Sequence, residues 1–175
     1  KLDPTLVNEL SRYQSNGGVV VTIGQSWLEG ASSIRIENEK SAQILTRTFI
    51  EEYHRRFAFV GGPVDVVTAA ERRRGFEGAL KDAGIRAELI TSHEFSTPGG
   101  YAAATQLVES FGVDASRGLT VIAANDVMAL GAIAGFRDCG LNVPQDIAVA
   151  GFGDIPISRH YSPSLTTMGF SLEGI

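Results

Sequence analysis

The sequence contains one cysteine, Cys139, which excludes an intrachain disulfide bond. A single thiol is typical of proteins that work in a reducing compartment, so it favours a cytoplasmic location. Free cysteine is more often a small buried hydrophobe than a reactive group, and we interpret Cys139 as a buried side chain near a helix end.

Long apolar runs and a secretory signal are also missing. No stretch approaches the roughly 20 apolar residues that cross a membrane, and no signal-peptide pattern is visible. We therefore expect no membrane contact. The chain begins at Lys1 rather than at a methionine and enters a helical pattern almost at once. We interpret it as a fragment or processed piece, so the missing signal says little about the parent protein.

An excess of basic charge is absent as well. The chain has 15 lysines and arginines against 20 aspartates and glutamates, a net charge of −5 at pH 7. Domains that bind nucleic acid usually carry a basic face, whereas the one basic cluster here, Arg72 to Arg74, lies within a helical pattern. We expect no DNA-reading element within these 175 residues.

The sequence also lacks the motifs of common catalytic and metal sites. There is no glycine-rich phosphate loop, and the pair Gly151 and Gly153 lacks the third glycine of a dinucleotide site. The three histidines, His54, His93 and His160, are too scattered for a metal site. No nucleophile elbow is present. We therefore expect no metal, no cofactor and no enzyme activity.

What the chain does contain is a regular alternation of apolar runs and helical patterns. The runs cover residues 19–23, 33–37, 57–60, 87–90, 119–123, 147–151 and 165–168. The helical patterns cover residues 4–14, 39–53, 68–83 and 99–111, and another follows Asn125. This alternation predicts an α/β fold with a parallel sheet and helices on both faces.

Local signals refine this prediction. Short polar side chains that suit helix N-caps are Asp3, Thr68, Ser96 or Thr97, and Asn125 or Asp126. The all-β-branched run at residues 19–23 predicts a buried parallel strand. Helical spacing places Tyr53 and Arg73 on the inward stripes of their helices, and residues 112–118 are expected to form a polar loop.

The most informative stretch runs from residue 119 to residue 167. A short apolar run is followed by a capped helix, a glycine stop at Gly140 and a second apolar run, which together make one βαβ unit. Ligands of such units bind at the carboxyl ends of the strands. Asn125 stands at one such end and Asp154 at the next.

Three motifs occur in order within this stretch. They read NDVMALGA from Asn125, GLNVPQDIAVAGFGD from Gly140 and PSLTT from Pro163. In this order and spacing they resemble the effector-binding domain of the LacI/GalR family, which comprises bacterial transcription regulators that respond to sugars and nucleobases. The resemblance covers nearly the whole chain.

The resemblance implies a periplasmic-binding-protein-like fold of type I, with two similar lobes linked by three crossings. On this mapping, residues 1–36 are the end of the first lobe, residues 37–166 are nearly all of the second lobe and residues 167–175 are the return crossing. The helix-turn-helix headpiece that binds operator DNA would be absent from this chain, as would the start of the first lobe.

The resemblance also implies a small-molecule effector, with a sugar as the expected class, in the cleft between the lobes. Arg72 matches the family arginine whose fixed donors grip hydroxyls or carboxylates. Phe95 matches an aromatic that lies against a flat sugar or base. Asn125 can donate to and accept from hydroxyls, and Gln25 is the first-lobe candidate.

Asp154 marks a departure from the family pattern. Many relatives carry an aspartate directly after the Gly-Phe pair, where this chain has Gly153. The carboxylate that accepts ligand hydrogen bonds is therefore either missing or supplied by Asp154, and no specific ligand class follows.

The leading interpretation is the effector-sensing domain of a LacI-type repressor. The alternatives are a periplasmic sugar-binding protein of a transporter, which shares the fold, and an enzyme on a similar scaffold. The segment that begins at Val143 favours the regulator. Members of the family dimerise through the second lobe, so we expect a homodimer with contacts from the helix at residues 127–136 and from the surroundings of Tyr161.

Overall fold

A computed structural model of the chain describes residues 3–24 and 28–169. The chain divides into two compact units, Lys1–Glu37 and Asn38–Ile175. The assignment of these units to the two lobes of the family stays a prediction. Among the residues that the structure describes, no helix combines the length and the apolar character needed to cross a membrane.

Within its described residues, the first unit contains one helix and two short strands. Helix α1 (Pro4–Ser15) begins after Asp3, as predicted, and the Asp3 Oδ1 atom accepts a hydrogen bond from the Thr5 backbone nitrogen at 2.9 Å. Strands β1 (Val21–Ile23) and β2 (Ser32–Ile34) pair in parallel. The sequence therefore predicts the direction of this pairing correctly.

The predicted burial of the run at residues 19–23 is wrong. Val19, Val21 and Ile23 are 77%, 53% and 62% exposed, whereas Thr22 between them is buried. One helix and two three-residue strands provide too few layers to cover both faces of a sheet. The β-branched side chains on one side of β1 are consequently left exposed within the described residues.

The second unit is built on a parallel sheet of five strands. The strands are β3 (Phe57–Gly61), β4 (Ala87–Ser92), β5 (Thr120–Ala123), β6 (Ala148–Phe152) and β7 (Thr166–Met168). Their order across the sheet is β4-β3-β5-β6-β7. All residues of the central strands β3 and β5 are buried, as expected for a sheet that is covered on both faces.

Helices cover both faces of this sheet, which confirms the predicted fold class. The helices are α2 (Asn38–Glu51), α3 (Val67–Asp82), α4 (Thr97–Phe111), α5 (Val113–Ser116), α6 (Asp126–Asp138) and α7 (Pro156–His160). Helix α2 packs against α3, and α4 packs against α6. The connection from β3 to β4 through α3 runs toward one edge of the sheet, whereas the connections through α4 and α6 run toward the other edge. Because such connections are right-handed, the pair α2 and α3 lies on one face of the sheet and the pair α4 and α6 on the other.

The close approach of α4 and α6 depends on glycine. A Cβ atom on Gly100 would collide with the Met128 carbonyl oxygen, and one on Gly131 would collide with the Thr97 carbonyl oxygen. Without these side chains the two backbones come into direct contact. This contact holds the N-terminus of α6 at the carboxyl edge of the sheet.

Two of the predicted caps in this unit are confirmed and one is wrong. Ser96 accepts a hydrogen bond from the Gly99 nitrogen at 3.0 Å, and Asn125 accepts one from the Met128 nitrogen at 2.8 Å. Thr68 caps nothing, because α3 begins one residue earlier and its N-cap position is Val66, which has no side-chain acceptor.

Three other local predictions need correction, and one short helix was not predicted. Tyr53 is 84% exposed, because α2 ends at Glu51 and Tyr53 adopts a left-handed conformation. Arg73 is exposed and pairs with Glu77 at 3.0 Å rather than facing the core. The loop predicted at residues 112–118 contains α5, and α7 was not predicted. Both are single-turn helices, which are too short to show a periodic pattern.

Candidate functional site

The predicted ligand-binding residues of the second unit lie around one edge of its sheet. Phe95 follows β4, Asn125 follows β5 and Asp154 follows β6. Arg72 lies on α3, the helix that follows β3. After β3 the chain continues to β4 on one side of the sheet, and after the neighbouring strand β5 it continues to β6 on the other side. The space above the carboxyl ends of β3 and β5 is therefore the topological switch point, where open α/β sheets bind ligands.

The Arg72 side chain spans this switch point. Its Nη1 atom donates to the Ala124 carbonyl oxygen at 2.6 Å, and its Nε atom donates to Asn38 Oδ1 at 3.1 Å. The guanidinium carbon lies 5.2 Å from the centroid of the Phe152 ring. Arg72 therefore starts on α3, crosses the end of β5 and reaches the end of β6.

The surroundings of Arg72 create a partly desolvated positive charge. Burial lowers the pKa of the Arg72 guanidinium, while the carboxylates of Asp126 and Glu71 oppose that change. Asn38 links the arginine to Glu71, because its Nδ2 atom donates to Glu71 Oε2 at 2.9 Å. An arginine stays protonated at neutral pH, so a fixed cation with its planar donors stands at the edge of the sheet.

Asn125 is the N-cap of α6, and the cap uses only its side-chain oxygen. The side-chain nitrogen of an asparagine is a separate double donor. Capping and ligand contact are therefore compatible, as the sequence suggests. The cap is confirmed, and the ligand contact stays a prediction.

Asp126 is an acid whose role the sequence does not reveal. It is 1% exposed and occupies the first position of α6. Its carboxylate accepts hydrogen bonds from the Ile155 nitrogen at 3.0 Å, from Ser158 Oγ at 2.9 Å and from Thr167 Oγ1 at 2.5 Å. An acidic residue between an apolar strand and an apolar helix could have indicated a buried carboxylate, but an aspartate at this position also suits a helix cap.

Asp154 is part of an ion pair. Its carboxylate accepts hydrogen bonds from Arg159 Nε at 3.2 Å and from Arg159 Nη2 at 2.5 Å. These bonds lower the pKa of Asp154. The edge of the sheet therefore presents both an acceptor and a donor here, rather than a lone carboxylate. Arg159 was missed because α7, which carries it, was not predicted.

Phe95 is partly buried and packs against the core of the second unit. A Cβ atom on Gly62 would collide with the Phe95 ring, so the ring lies directly on the backbone after β3. Phe95 thus anchors the segment after β4 to the core, and its contact with a ligand stays a prediction. Gln25, the candidate of the first unit, lies outside the described residues.

The structure links three of the five candidates, Arg72, Asn125 and Asp154, through intermediate residues. Arg72 bonds to Ala124, the residue before Asn125. Thr167 joins the turn of Asp154 to Asp126, the residue after Asn125. Among the residues described, no cluster of three or more histidine, cysteine or acidic side chains could hold a metal ion.

Comparisons with known proteins show the family and the fold of this chain. Residues 46–175 match the model of the periplasmic binding protein-like domain. The transcriptional repressor PurR of Photorhabdus laumondii is 33% identical over 165 residues, which are 93% of this chain and 47% of PurR. The chain spans about half the length of the curated relatives it matches.

Solved structures of regulators share the fold. The complex of the transcriptional regulator CelR with cellobiose has a TM-score of 0.74 and 31% identity, over 89% of this chain and 48% of that one. A dimeric Lac repressor with a C-terminal deletion has a TM-score of 0.77 and 26% identity, over 95% of this chain and 59% of that one.

Proposed function

Since this chain belongs to the family of periplasmic binding protein-like domains, in the form that LacI-type transcription regulators carry, we propose that it senses a small-molecule effector for a DNA-binding repressor. The observation that carries the proposal is the Arg72 side chain. It places a partly buried guanidinium across the switch point of the five-stranded sheet, where α/β sheets bind their ligands.

The groups at this edge suit a ligand rich in hydroxyls. Arg72 and the Asn125 amide nitrogen are donors, and the Asp154–Arg159 pair offers acceptors and donors side by side. The Phe95 ring supplies an apolar face of the kind that packs against a sugar ring. We therefore propose a sugar or a closely related metabolite, in line with the cellobiose complex of CelR.

The proposal extends to partners and location. Operator DNA would be contacted by a part of the protein outside this chain, which itself carries a net charge of −5. We propose a cytoplasmic, non-catalytic homodimer, and a related Lac repressor is described as dimeric. Fewer residues of α6 can contact a partner than the sequence predicts, because Met128, Ile133 and Phe136 are buried inside the unit. Val127 and Tyr161, which are only partly buried, remain candidates.

The test begins with a thermal-shift screen of the full chain against sugars, cellobiose included, and nucleobases. For the compound that binds, Arg72→Ala should weaken affinity by about 10- to 150-fold, because a charge-assisted hydrogen bond is worth about 1.5–3 kcal/mol. Titration calorimetry measures the affinity, and circular dichroism checks that the variant is folded.

Arg73→Ala is the matched control. Arg73 is the next residue on the same helix, but its side chain is exposed and pairs with Glu77, so affinity should stay within twofold of the original chain. Equal affinities of the Arg72→Ala variant and the original chain would remove Arg72 from the site. Chemical turnover of the bound compound would contradict the sensing role.

A further inference from the structure

The turn after β6 has an unusual backbone conformation. Gly153 has a φ of +132° and Asp154 a φ of +48°, both in regions that L-residues rarely adopt. A non-glycine residue stays in such a conformation only when its surroundings hold it there. The position of the Asp154 carboxylate therefore depends on whatever fixes this turn.

Three consecutive backbone N–H groups of the turn are fixed by β7 and by Asp126. The Gly153 nitrogen donates to the Met168 carbonyl oxygen at 3.0 Å. The Asp154 nitrogen donates to Thr167 Oγ1 at 3.2 Å. The Ile155 nitrogen donates to Asp126 Oδ2 at 3.0 Å. The Thr167 hydroxyl also donates to Asp126 Oδ1 at 2.5 Å. The acceptor of the Asp154 nitrogen is therefore hydrogen-bonded to the carboxylate that accepts from the Ile155 nitrogen.

Asp126 is itself closely enclosed. It is 1% exposed, and a Cβ atom on Gly151 would lie only 2.5 Å from its Oδ1 atom, so glycine at that position leaves room for the carboxylate. The N-terminus of α6 favours a negative charge at this position. Asp126 also accepts from Ser158 on α7, the helix that carries Arg159. Both members of the Asp154–Arg159 pair are thus anchored to one carboxylate.

From these contacts we infer that Asp126 and Thr167 are positioning residues for the effector site. They hold the turn that presents Asp154 and join it to the helix that Asn125 caps. Neither residue needs to touch the ligand. The inference rests on the proposed function for its ligand, but the geometry that it assigns to the turn can be measured without one.

The variant that tests it is Thr167→Val, which removes the bridging hydroxyl and keeps the shape of the side chain. Thr167→Ser keeps the hydroxyl. Thr166→Val makes the same chemical change at the neighbouring, exposed position. In the full chain without ligand, NMR should show the Asp154 amide exchanging about fivefold faster in Thr167→Val, the factor that an ordinary net hydrogen bond is worth. Thr166→Val and Thr167→Ser should match the original chain.

The second measurement is affinity for the compound found in the thermal-shift screen, at a temperature where every variant is folded. Thr167→Val should weaken binding about fivefold, Thr167→Ser should restore it and Thr166→Val should leave it unchanged. A general loss of stability would not produce this selective pattern.

The outcomes separate the two proposals. Unchanged exchange of the Asp154 amide in Thr167→Val overturns the positioning role, and so does faster exchange with unchanged affinity. If no compound binds the original chain, the proposed function fails. Amide exchange then decides by itself whether Thr167 fixes the turn.

Discussion

The two sheets formed by residues 3–24 and 28–169 contain similar strands with opposite burial. The runs at residues 19–23 and 119–123 are both short, apolar and rich in β-branched side chains. Yet Val21 and Ile23 are more than half exposed, whereas Val121 and Ile122 are fully buried. The difference lies in the layers around each strand, because β5 has a strand on each side and belongs to a sheet that helices cover on both faces. An apolar run predicts a strand, and its neighbours decide its burial.

The largest expected effect compares the core of the second unit with the exposed strand β1. Phe76 is fully buried, and its ring lies 5.1 Å from that of Phe59 and 6.5 Å from that of Phe57. Phe76→Ala should lower the free energy of unfolding by about 3–5 kcal/mol, because it leaves a cavity in the core. Ile23→Ala should change it by less than about 0.5 kcal/mol. Urea denaturation of the full chain measures both, and equal losses would remove the contrast.

A smaller effect should show the same contrast within a single helix. A Cβ atom on Gly75 would collide with the Glu39 carbonyl oxygen, whereas one on Gly78 would meet only Gln43 Nε2, at 3.9 Å. Gly75→Ala should therefore destabilise the chain by about 1–3 kcal/mol through overpacking. Gly78→Ala should stabilise it by up to about 1 kcal/mol through helix propensity. Thermal unfolding distinguishes the two signs, and destabilisation by both would mean that α3 is packed more tightly than described.

The smallest effect concerns the exposed ion pair at the edge of the sheet. Arg159 lowers the pKa of Asp154, so the pair stabilises the fold fully above the unfolded pKa of about 3.9. That stabilisation is lost as pH falls through the lower, folded pKa. NMR titration should give Asp154 a higher pKa in Arg159→Gln than in the original chain. An unchanged pKa would show that Arg159 does not pair with Asp154 in solution.

The fold could be predicted because its signals are local. Alternating apolar runs and helices were sufficient for the parallel sheet, and short polar residues located the caps at Ser96 and Asn125. The errors arose where local signals are ambiguous. Tyr53 continues the helical spacing of α2 although the helix has already ended, and Thr68 is a good cap residue that lies two positions after the N-cap, Val66.

The site could be predicted only as a set of separate residues. The resemblance gave Arg72, but its contacts with Ala124 and Phe152 depend on how α3 packs against the ends of two other strands. Asp126 was missed for the same reason, because its partners Ser158 and Thr167 lie on elements that only the tertiary fold brings next to it. Arg159 was missed because α7, which carries it, was not predicted. Ligand contact by Arg72, Phe95, Asn125, Asp154 and Gln25 remains to be tested.

The strand order has a consequence for assembly during synthesis. Strand β3 pairs with β4 on one side and with β5 on the other. Strands β6 and β7 then extend the β5 side in turn. Each strand that leaves the ribosome can therefore join an open edge, and no finished pair has to separate to admit a later one. The sheet can grow while the chain is being made. The edge of β3 that pairs with β5 stays open longest, because β4 and α4 are made before β5.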